Sequence, residues 1–165
     1  MELPLDPVPA VAVSCVAWTV IGVGSGYLVH RLPVRRVDPD TWLTRPRRFE
    51  DGGRFYERRL HIGRWKDHLP EWGALFGGVS KGRLPDRSDA TLARFAAETR
   101  RAELVHWINA SAGPLFLVWC PWPLGLVMVG FGVAAHLPFV CVQRANRARV
   151  VRVLDARRRA VRLVR

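Results

Sequence analysis

Two ionisable side chains, those of Glu103 and His106, lie where the sequence changes from charged to apolar. They are three residues apart, so on a helix they share a face and can touch. A histidine beside a carboxylate is a common arrangement for general acid–base chemistry. The structural alternative is that His106 pairs with Glu103 and extends toward water, and the residues alone leave both interpretations open. At about 100° per residue, one face of this helix, roughly 80° wide, carries Leu92, Phe95, Thr99, Glu103, His106 and Ala110.

A second histidine, His136, lies seven residues before Gln143, at the end of the last apolar run. Pro138 follows it, and a proline inside a helix leaves a carbonyl one turn earlier without its N–H partner. Polar groups inside a membrane are costly and usually have a partner or a function. Three packed helices would bring Glu103, His106 and His136 into one polar cluster facing the cytoplasm. For His136 by itself, a structural role is favoured.

A basic stretch with two amides follows, Gln-Arg-Ala-Asn-Arg-Ala-Arg at 143–149. On a helix Gln143 and Arg147 share a face, and Asn146 lies beside it. Guanidinium groups bind carboxylates and phosphates in paired hydrogen bonds. A positive-inside stop and an anchor to lipid phosphates would account for the arginines further along. That alternative accounts less well for the two amides, which carry no charge.

The distribution of charge indicates the class of protein that must position these residues. The 165 residues include 26 Lys and Arg against 14 Asp and Glu, a net charge of +12, yet 49% are hydrophobic. Residues 7–30 and 104–143 contain no Asp, Glu, Lys or Arg, and all the basic residues lie in 31–103 and 144–165. This pattern excludes a plain soluble domain and a disordered basic tail. Nucleic-acid binding is disfavoured because topology accounts for the charge and no reading motif is present.

The apolar runs predict an all-α membrane protein with three transmembrane helices in a single domain, 1–165. A span takes about 20 apolar residues, and Pro-Trp-Pro at 121–123 divides the longer run into a tight helical hairpin. Because basic residues stay on the cytoplasmic side, the N-terminus is predicted to lie outside. The segments are a first span at 7–30, a cytoplasmic loop at 31–103, spans at 104–120 and 124–142, and a basic cytoplasmic tail at 143–165.

Two other topologies are weaker. A cleaved signal peptide at 8–26 needs a basic segment before it, and residues 1–7 are acidic. A re-entrant loop at 104–143 would leave only two spans.

The small residues of the first span form a close-packing motif. Gly22 and Gly26 are a small-xxx-small pair, for which packing within the chain is favoured over a seam in a homo-oligomer. The cysteines have neither metal-binding nor disulfide spacing and are predicted to be reduced packing residues: Cys15, Cys120 and Cys141.

The cytoplasmic loop is predicted to have four parts. Residues 32–49, rich in proline and arginine, form an extended connector near the membrane surface. Residues 53–69 interleave aromatic and basic residues at helix-like spacing, which is typical of an amphipathic helix in the lipid interface. Residues 70–85 are a flexible loop. Ser88 caps a helix that runs over 90–103 into the second span.

Three stretches together resemble a known family. They are Gly-Arg-Phe-Tyr at 53–56 leading into Arg-Trp-Lys-Asp at 64–67, Glu-Thr-Arg-Arg-Ala-Glu-Leu-Val-His-Trp-Ile at 98–108, and the stretch from Pro138 to Arg149. In order and spacing they are similar to the glycosyl-4,4'-diaponeurosporenoate acyltransferases, small bacterial membrane proteins of carotenoid synthesis. The resemblance covers about 49–150. It implies transfer of a fatty acyl group to a sugar hydroxyl of a membrane-embedded glycosylated carotenoid, and another glycolipid acceptor is the nearest alternative.

Residue chemistry within that reaction yields hypotheses for the site. His106 would act as the general base, a role that typically contributes ~10²–10⁴-fold, and Glu103 would orient it. Arginines would hold the phosphates or the thioester oxygen of the donor: Arg101, Arg144, Arg147 and Arg149. The acyl entrance would be bordered by Trp65, Lys66 and Trp107. Further candidates for substrate contact are Glu98, His136, Gln143 and Asn146.

The expected donor is acyl-CoA or acyl-carrier protein, with no cofactor and no metal. A non-catalytic membrane protein, which uses its arginine-rich face to bind anionic lipid or an acidic partner, is the alternative from another functional class. High salt would release such an acidic partner.

Overall fold

The computed structural model describes residues 4–69 and 86–163, and within them the regular structure is helical, as predicted. The α-helices are α1 (Pro7–His30), α2 (Val34–Val37), α3 (Arg54–Arg58), α4 (Ile62–Trp65), α5 (Asp89–Ser111) and α6 (Trp122–Leu163). Short 3-10 helices cover Arg48–Gly53, Lys66–His68 and Gly113–Val118. The predicted loop at 70–85 lies outside the described residues.

The chain divides into two compact units. The first comprises Met1–Arg31 and Leu104–Val140, and the second comprises Leu32–Glu103 and Cys141–Arg165. Each boundary falls within a few residues of a change between apolar and basic sequence.

Two helices among the described residues are long and apolar enough to cross a membrane, Pro7–His30 and Trp122–Leu163. Large apolar side chains along both are exposed: Val16 and Val20 on α1, and Val127 and Phe131 on α6. Two such helices are compatible with association with a membrane.

The sequence predicts a second span at 104–120, but no single helix covers those residues in the structure. Three spanning helices are therefore not observed within the described residues. Helix α5 ends at Ser111, and the 3-10 helix Gly113–Val118 follows before α6 begins at Trp122. Pro114 lacks the N–H that would continue the hydrogen bonds of α5. Gly113 also lies close to α6, because a Cβ there would be 2.7 Å from the Val129 Cα.

The core of the first unit lies between α1 and the 3-10 helix Gly113–Val118. Leu5, Ala10, Phe116 and Cys120 form a buried apolar cluster, and Trp18 stacks on Phe116 with ring centroids 4.6 Å apart. These contacts place one face of α1 inward and leave Val16 and Val20 exposed on another face.

In the second unit, the first part of α5 packs against the last part of α6. Leu92, Phe95 and Ala96 form a buried cluster with Val150 and Leu154. The predicted start of this helix is confirmed, because the Thr91 N–H donates to the Ser88 Oγ at 3.2 Å and α5 begins at Asp89. The predicted inward face is also confirmed at Thr99 and Glu103, which are buried.

The stretch 53–69 is several short helices rather than the one amphipathic helix that the spacing predicts. Gly53 has φ +94° and His61 has φ +48°, and these left-handed residues precede α3 and α4. The apolar side chains pack within the protein, where Tyr56 and Ile62 form a buried cluster with Val142 and Ala145. The helix-like spacing of 53–69 therefore does not produce an exposed apolar face for the lipid interface.

The predicted connector at 32–49 is only partly extended. It contains α2 at Val34–Val37 and the start of the 3-10 helix Arg48–Gly53.

Candidate functional site

Two histidines meet in the first unit. The Nδ1 atom of His106 on α5 lies 3.1 Å from the Nδ1 atom of His136 on α6. The His106 ring stacks on Phe139, with centroids 4.6 Å apart, and the Trp18 ring is 6.2 Å from the His136 ring. The sequence predicts one cluster of Glu103, His106 and His136, and the structure brings the two histidines together.

The contact between the two Nδ1 atoms constrains the protons of the pair. A hydrogen bond requires one Nδ1–H donor and one Nδ1 lone pair, and the direction is assigned by chemistry rather than observed. The donating ring then has a basic Nε2, while the accepting ring carries its proton on Nε2. Whichever direction holds, the pair presents one proton acceptor and one proton donor, which general acid–base catalysis requires.

The face of α5 that carries His106 continues with a buried amide. Asn109 is 1% exposed, and its Nδ2 donates to the Ser25 Oγ at 2.7 Å and to the Val105 carbonyl at 2.8 Å. Ser25 lies on α1, so this bond links α1 to α5. The first unit thus contains a second polar feature in an apolar interior.

In the second unit, Glu103 is completely buried and bound by two arginines. The Arg144 Nε donates to its Oε1 at 2.6 Å, and the Arg147 Nη2 lies 2.7 Å from its Oε2. Both arginines are themselves buried. The carboxylate that the sequence assigns to orienting a histidine therefore has a double guanidinium pairing.

A second glutamate completes this buried ionic cluster, Glu50, Glu103, Arg144 and Arg147. Glu50 is 3% exposed and accepts from the Arg144 Nη1. Arg144 also donates to the Leu43 carbonyl, and Arg147 donates to the Thr44 carbonyl at 2.7 Å. The charges balance, and every nitrogen of the Arg144 guanidinium has a protein acceptor.

Tyr56 borders the buried ionic cluster. Burial, followed by the negative charge of Glu50, raises the pKa of Tyr56 well above its usual range, although a hydrogen bond to Arg144 lowers it in part. Tyr56 is therefore a neutral phenol at physiological pH. Its ring also belongs to the apolar cluster with Ile62.

The other candidate residues make smaller local contacts. Arg101 donates to Glu98 at 2.8 Å and to the Leu32 carbonyl at 2.9 Å. Arg149 pairs with Glu57 on an exposed surface. Trp65 donates to the Leu60 carbonyl and Lys66 pairs with Asp67, whereas the side chains of Trp107, Gln143 and Asn146 are half-buried.

Several residues of these two clusters are not identifiable from their local sequence. Glu50, Tyr56 and Asn109 acquire their partners only through the fold. The available signal was weak: Glu50 lies inside the stretch that resembles the family, and Asn109 follows His106 on the inward face. Within residues 4–69 and 86–163, no group of three or more His, Cys, Asp or Glu side chains is placed to hold a metal ion.

The two apolar helices are compatible with association with a membrane, and the hydrogen-bonded histidine pair is compatible with an enzyme that moves a proton. A family model described as glycosyl-4,4'-diaponeurosporenoate acyltransferase matches residues 39–156, which is more than half of the chain. The chain therefore belongs to this family, and it is an acyltransferase.

Curated relatives agree with that family. Proteins named glycosyl-4,4'-diaponeurosporenoate acyltransferase in Staphylococcus aureus strains bovine RF122 / ET3-1 and USA300 are each 24% identical to the chain over 138 residues. Each alignment covers 83% of this chain and 83% of the relative. No solved structure matches the chain significantly.

Proposed function

We propose that the protein transfers a fatty acyl group from a thioester donor to a sugar hydroxyl of glycosyl-4,4'-diaponeurosporenoate. The observation that carries this proposal is the hydrogen-bonded pair of His106 and His136. The name shared by the family and its curated relatives, glycosyl-4,4'-diaponeurosporenoate acyltransferase, supports this acceptor.

In the proposed reaction His106 donates its Nδ1–H to His136 and uses its free Nε2 as the base. Nε2 removes the proton from the sugar hydroxyl as the oxygen attacks the thioester carbonyl carbon. The new C–O ester bond forms, the C–S bond breaks, and the imidazolium returns its proton to the leaving thiolate. His136 stabilises the imidazolium through the Nδ1 contact, the task that the sequence assigns to Glu103.

The donor is proposed to be acyl-CoA or acyl-carrier protein. Both are anionic, and nine of the 26 basic residues lie in 144–165. Arg149 is half-exposed and has only a surface ion pair with Glu57, so its guanidinium can exchange that partner for a phosphate. Arg144, whose nitrogens all have acceptors inside the protein, is proposed to be structural.

The basic loop 31–103 and the tail are proposed to face the cytoplasm, where these donors are made. The support is charge asymmetry, because the N-terminal residues 1–30 contain no Lys or Arg. A green fluorescent protein joined to the C-terminus fluoresces only when it is cytoplasmic, and a dark, fully expressed fusion would overturn this orientation.

The reaction is tested in membranes that contain the expressed protein. Isotope-labelled acyl-CoA and, separately, labelled acyl-carrier protein are added with glycosyl-4,4'-diaponeurosporenoate, and mass spectrometry follows the gain of one acyl chain. We expect product with the wild type and loss of product with His106→Ala. The exposed His68 provides a matched control, because His68→Ala should retain full turnover.

Two results would count against the proposal in different ways. Near-normal turnover by His106→Ala at equal membrane abundance would refute the assignment of the base. Absence of acylated product with either donor in wild-type membranes would refute the reaction itself.

A further inference from the structure

The buried amide of Asn109 has an oxygen without a partner. Both hydrogen bonds of the side chain come from its Nδ2, to Ser25 and to the Val105 carbonyl. Among the residues that the structure describes, no donor reaches its Oδ1, although this atom has almost no exposed surface. Native proteins rarely leave a buried carbonyl oxygen unpaired, so such an atom calls for an explanation.

The orientation of this amide is fixed by its neighbours. A carbonyl oxygen only accepts hydrogen bonds, so the atom facing the Val105 carbonyl at 2.8 Å must be the NH₂ group. Exchanging the oxygen and nitrogen of Asn109 would place two carbonyl oxygens against each other. The Ser25 hydroxyl donates to the Gly22 carbonyl at 3.1 Å and so accepts from the Asn109 Nδ2, which leaves the unpaired oxygen pointing away from Val105.

The unpaired oxygen faces a small gap on α1 at Gly22. A Cβ built on Gly22 would lie 3.7 Å from the Asn109 Oδ1, an ordinary van der Waals distance. The space beside Oδ1 thus accommodates one group the size of a methyl or a hydroxyl. A glycine at position 22 keeps this space open.

A second unpaired atom lies on the same inward face of α1. Trp18 is one helical turn before Gly22, and its Nε1 is buried without an acceptor among the described residues. One unpaired acceptor on α5 and one unpaired donor on α1 suit a ligand with several hydroxyls, since each hydroxyl both donates and accepts. A cation is disfavoured, because among residues 4–69 and 86–163 no carboxylate contacts the Asn109 oxygen, so a buried positive charge would be unpaired.

We propose that the Asn109 Oδ1 accepts a hydrogen bond from a hydroxyl of the acceptor sugar, which enters the gap at Gly22. This assignment rests on the proposed function, because it places the sugar beside the base. Asn109 is three residues after His106, so their Cβ atoms are ~5–6 Å apart on one side of α5. One hexose presents hydroxyls over such a span: the reacting hydroxyl contacts His106 and another contacts Asn109.

Asn109 is in this view a substrate-binding residue that determines which hydroxyl is acylated. Holding one hydroxyl at Asn109 orients the ring and brings a particular neighbour to His106. Orientation of this kind contributes to both rate and selectivity. Loss of the Asn109 contact should therefore raise KM for the acceptor and mix the positions of the ester.

The sharpest test uses two matched glycine variants of α1. Gly22→Ala fills the gap beside Oδ1 without a steric clash, whereas Gly24→Ala places its Cβ where no atom lies within 4 Å. Both glycines are half-buried in the same helix, so changes in helix propensity and expression are matched. The probe is a long-chain alkyl β-glucoside, and its Kd is measured by titration calorimetry with protein in lipid nanodiscs.

We expect Gly22→Ala to weaken glucoside binding roughly tenfold, the effect of one lost hydrogen bond in a buried site. Gly24→Ala should bind like the wild type. Equal Kd values for all three proteins would overturn the proposal, as would equal binding of the alkyl alcohol that lacks the sugar. Because binding is measured without turnover, these outcomes decide the proposal even if the wild type transfers no acyl group, a result that would refute only the proposed function.

Two further variants separate binding from a structural role. Asn109→Ala should raise the acceptor KM and yield a mixture of ester regioisomers, identified by NMR of the product. Ser25→Ala removes the partner of Nδ2 but retains Oδ1, so it should lower Tm while the regioisomer stays single. A single unchanged regioisomer and an unchanged KM in Asn109→Ala would overturn the proposal.

Discussion

The two units of the molecule bury their ionisable groups in opposite ways. In the first unit, His106 and His136 are joined by one hydrogen bond rather than by an ion pair. In the second unit, Glu50 and Glu103 both pair with Arg144, and Glu103 also pairs with Arg147. The histidine pair leaves a basic nitrogen available, whereas the carboxylates of the buried ionic cluster are paired with arginines inside the protein.

Because of this difference, the histidine pair is suited to catalysis and the buried ionic cluster to stabilising the fold. A neutral pair can accept a proton and return it with little rearrangement, which suits catalysis. A buried ionic cluster is costly to desolvate, and removal of one charged side chain leaves an uncompensated charge inside the protein. Its charged members are therefore expected to hold the fold, whereas the histidines are expected to affect turnover.

The largest effect is expected from Glu103→Ala, which leaves Arg144 and Arg147 buried with less negative charge. The free energy of unfolding should fall by about 3–5 kcal/mol, a large share of the stability of an ordinary domain. Thermal unfolding in detergent measures it. The exposed Glu57, which also pairs with an arginine, is the control, and a Glu103→Ala protein as stable as Glu57→Ala would contradict this stabilising role of the buried ionic cluster.

A smaller effect, confined to turnover, is expected from His136→Ala. Removing the acceptor that stabilises the imidazolium should lower kcat by roughly 10–100-fold, the worth of one hydrogen bond to a charged group. Tm should not change. His136→Asn keeps an acceptor near the position of Nδ1 and should recover much of the rate, while a large fall in Tm for either variant would assign the pair to structure instead.

Gly53→Ala tests how backbone strain affects the stability of the second unit. Gly53 has φ +94°, and a Cβ there would approach the Ala148 Cβ to 2.7 Å. Strain of this kind costs about 1–3 kcal/mol, and it should appear as a lower Tm. Gly63 lies within α4 with no atom within 4 Å of a built Cβ, so Gly63→Ala should be neutral, and equal Tm values would refute the strain.

The smallest stability effect is expected from Arg149→Ala. Its ion pair with Glu57 is half-exposed, and such pairs contribute about 0–1 kcal/mol. If Arg149 contacts the donor phosphates, KM for acyl-CoA should rise several-fold and the salt dependence of that KM should weaken. An unchanged KM would remove Arg149 from the donor site and leave it as a surface residue.

Local sequence predicts the parts of this fold that local physics controls. The Ser88 cap, the apolar first helix and the inward face at Thr99 all follow from residues within a few turns of one another. The end of α5 at Ser111 does not follow from hydropathy, because Gly113 and Pro114 lie inside an unbroken apolar run. Helical spacing also does not reveal left-handed residues such as His61, which interrupt the helix predicted over 53–69.

The candidate site was predictable only in part, because its partners are distant in sequence. The two histidines were expected to meet, and they do. Whether His106 or an arginine is the partner of Glu103 depends on the path of the chain between Glu103 and Arg144, which are 41 positions apart, and no local pattern encodes that path. Asn109 is similar, since the Ser25 that binds it is 84 residues away.

The distance along the chain between the charges of the buried ionic cluster has a consequence for biogenesis. Glu50 and Arg144 are separated by 94 residues, so at ~5–20 residues per second the ribosome needs roughly 5–20 s to supply the arginine after the glutamate. During that interval Glu50 and Glu103 stay hydrated, because neither has the cations that allow burial. The loop therefore acquires its native order only when α6 emerges, and a nascent chain stalled before residue 144 would expose Tyr56 and Ile62 to chaperones and proteases.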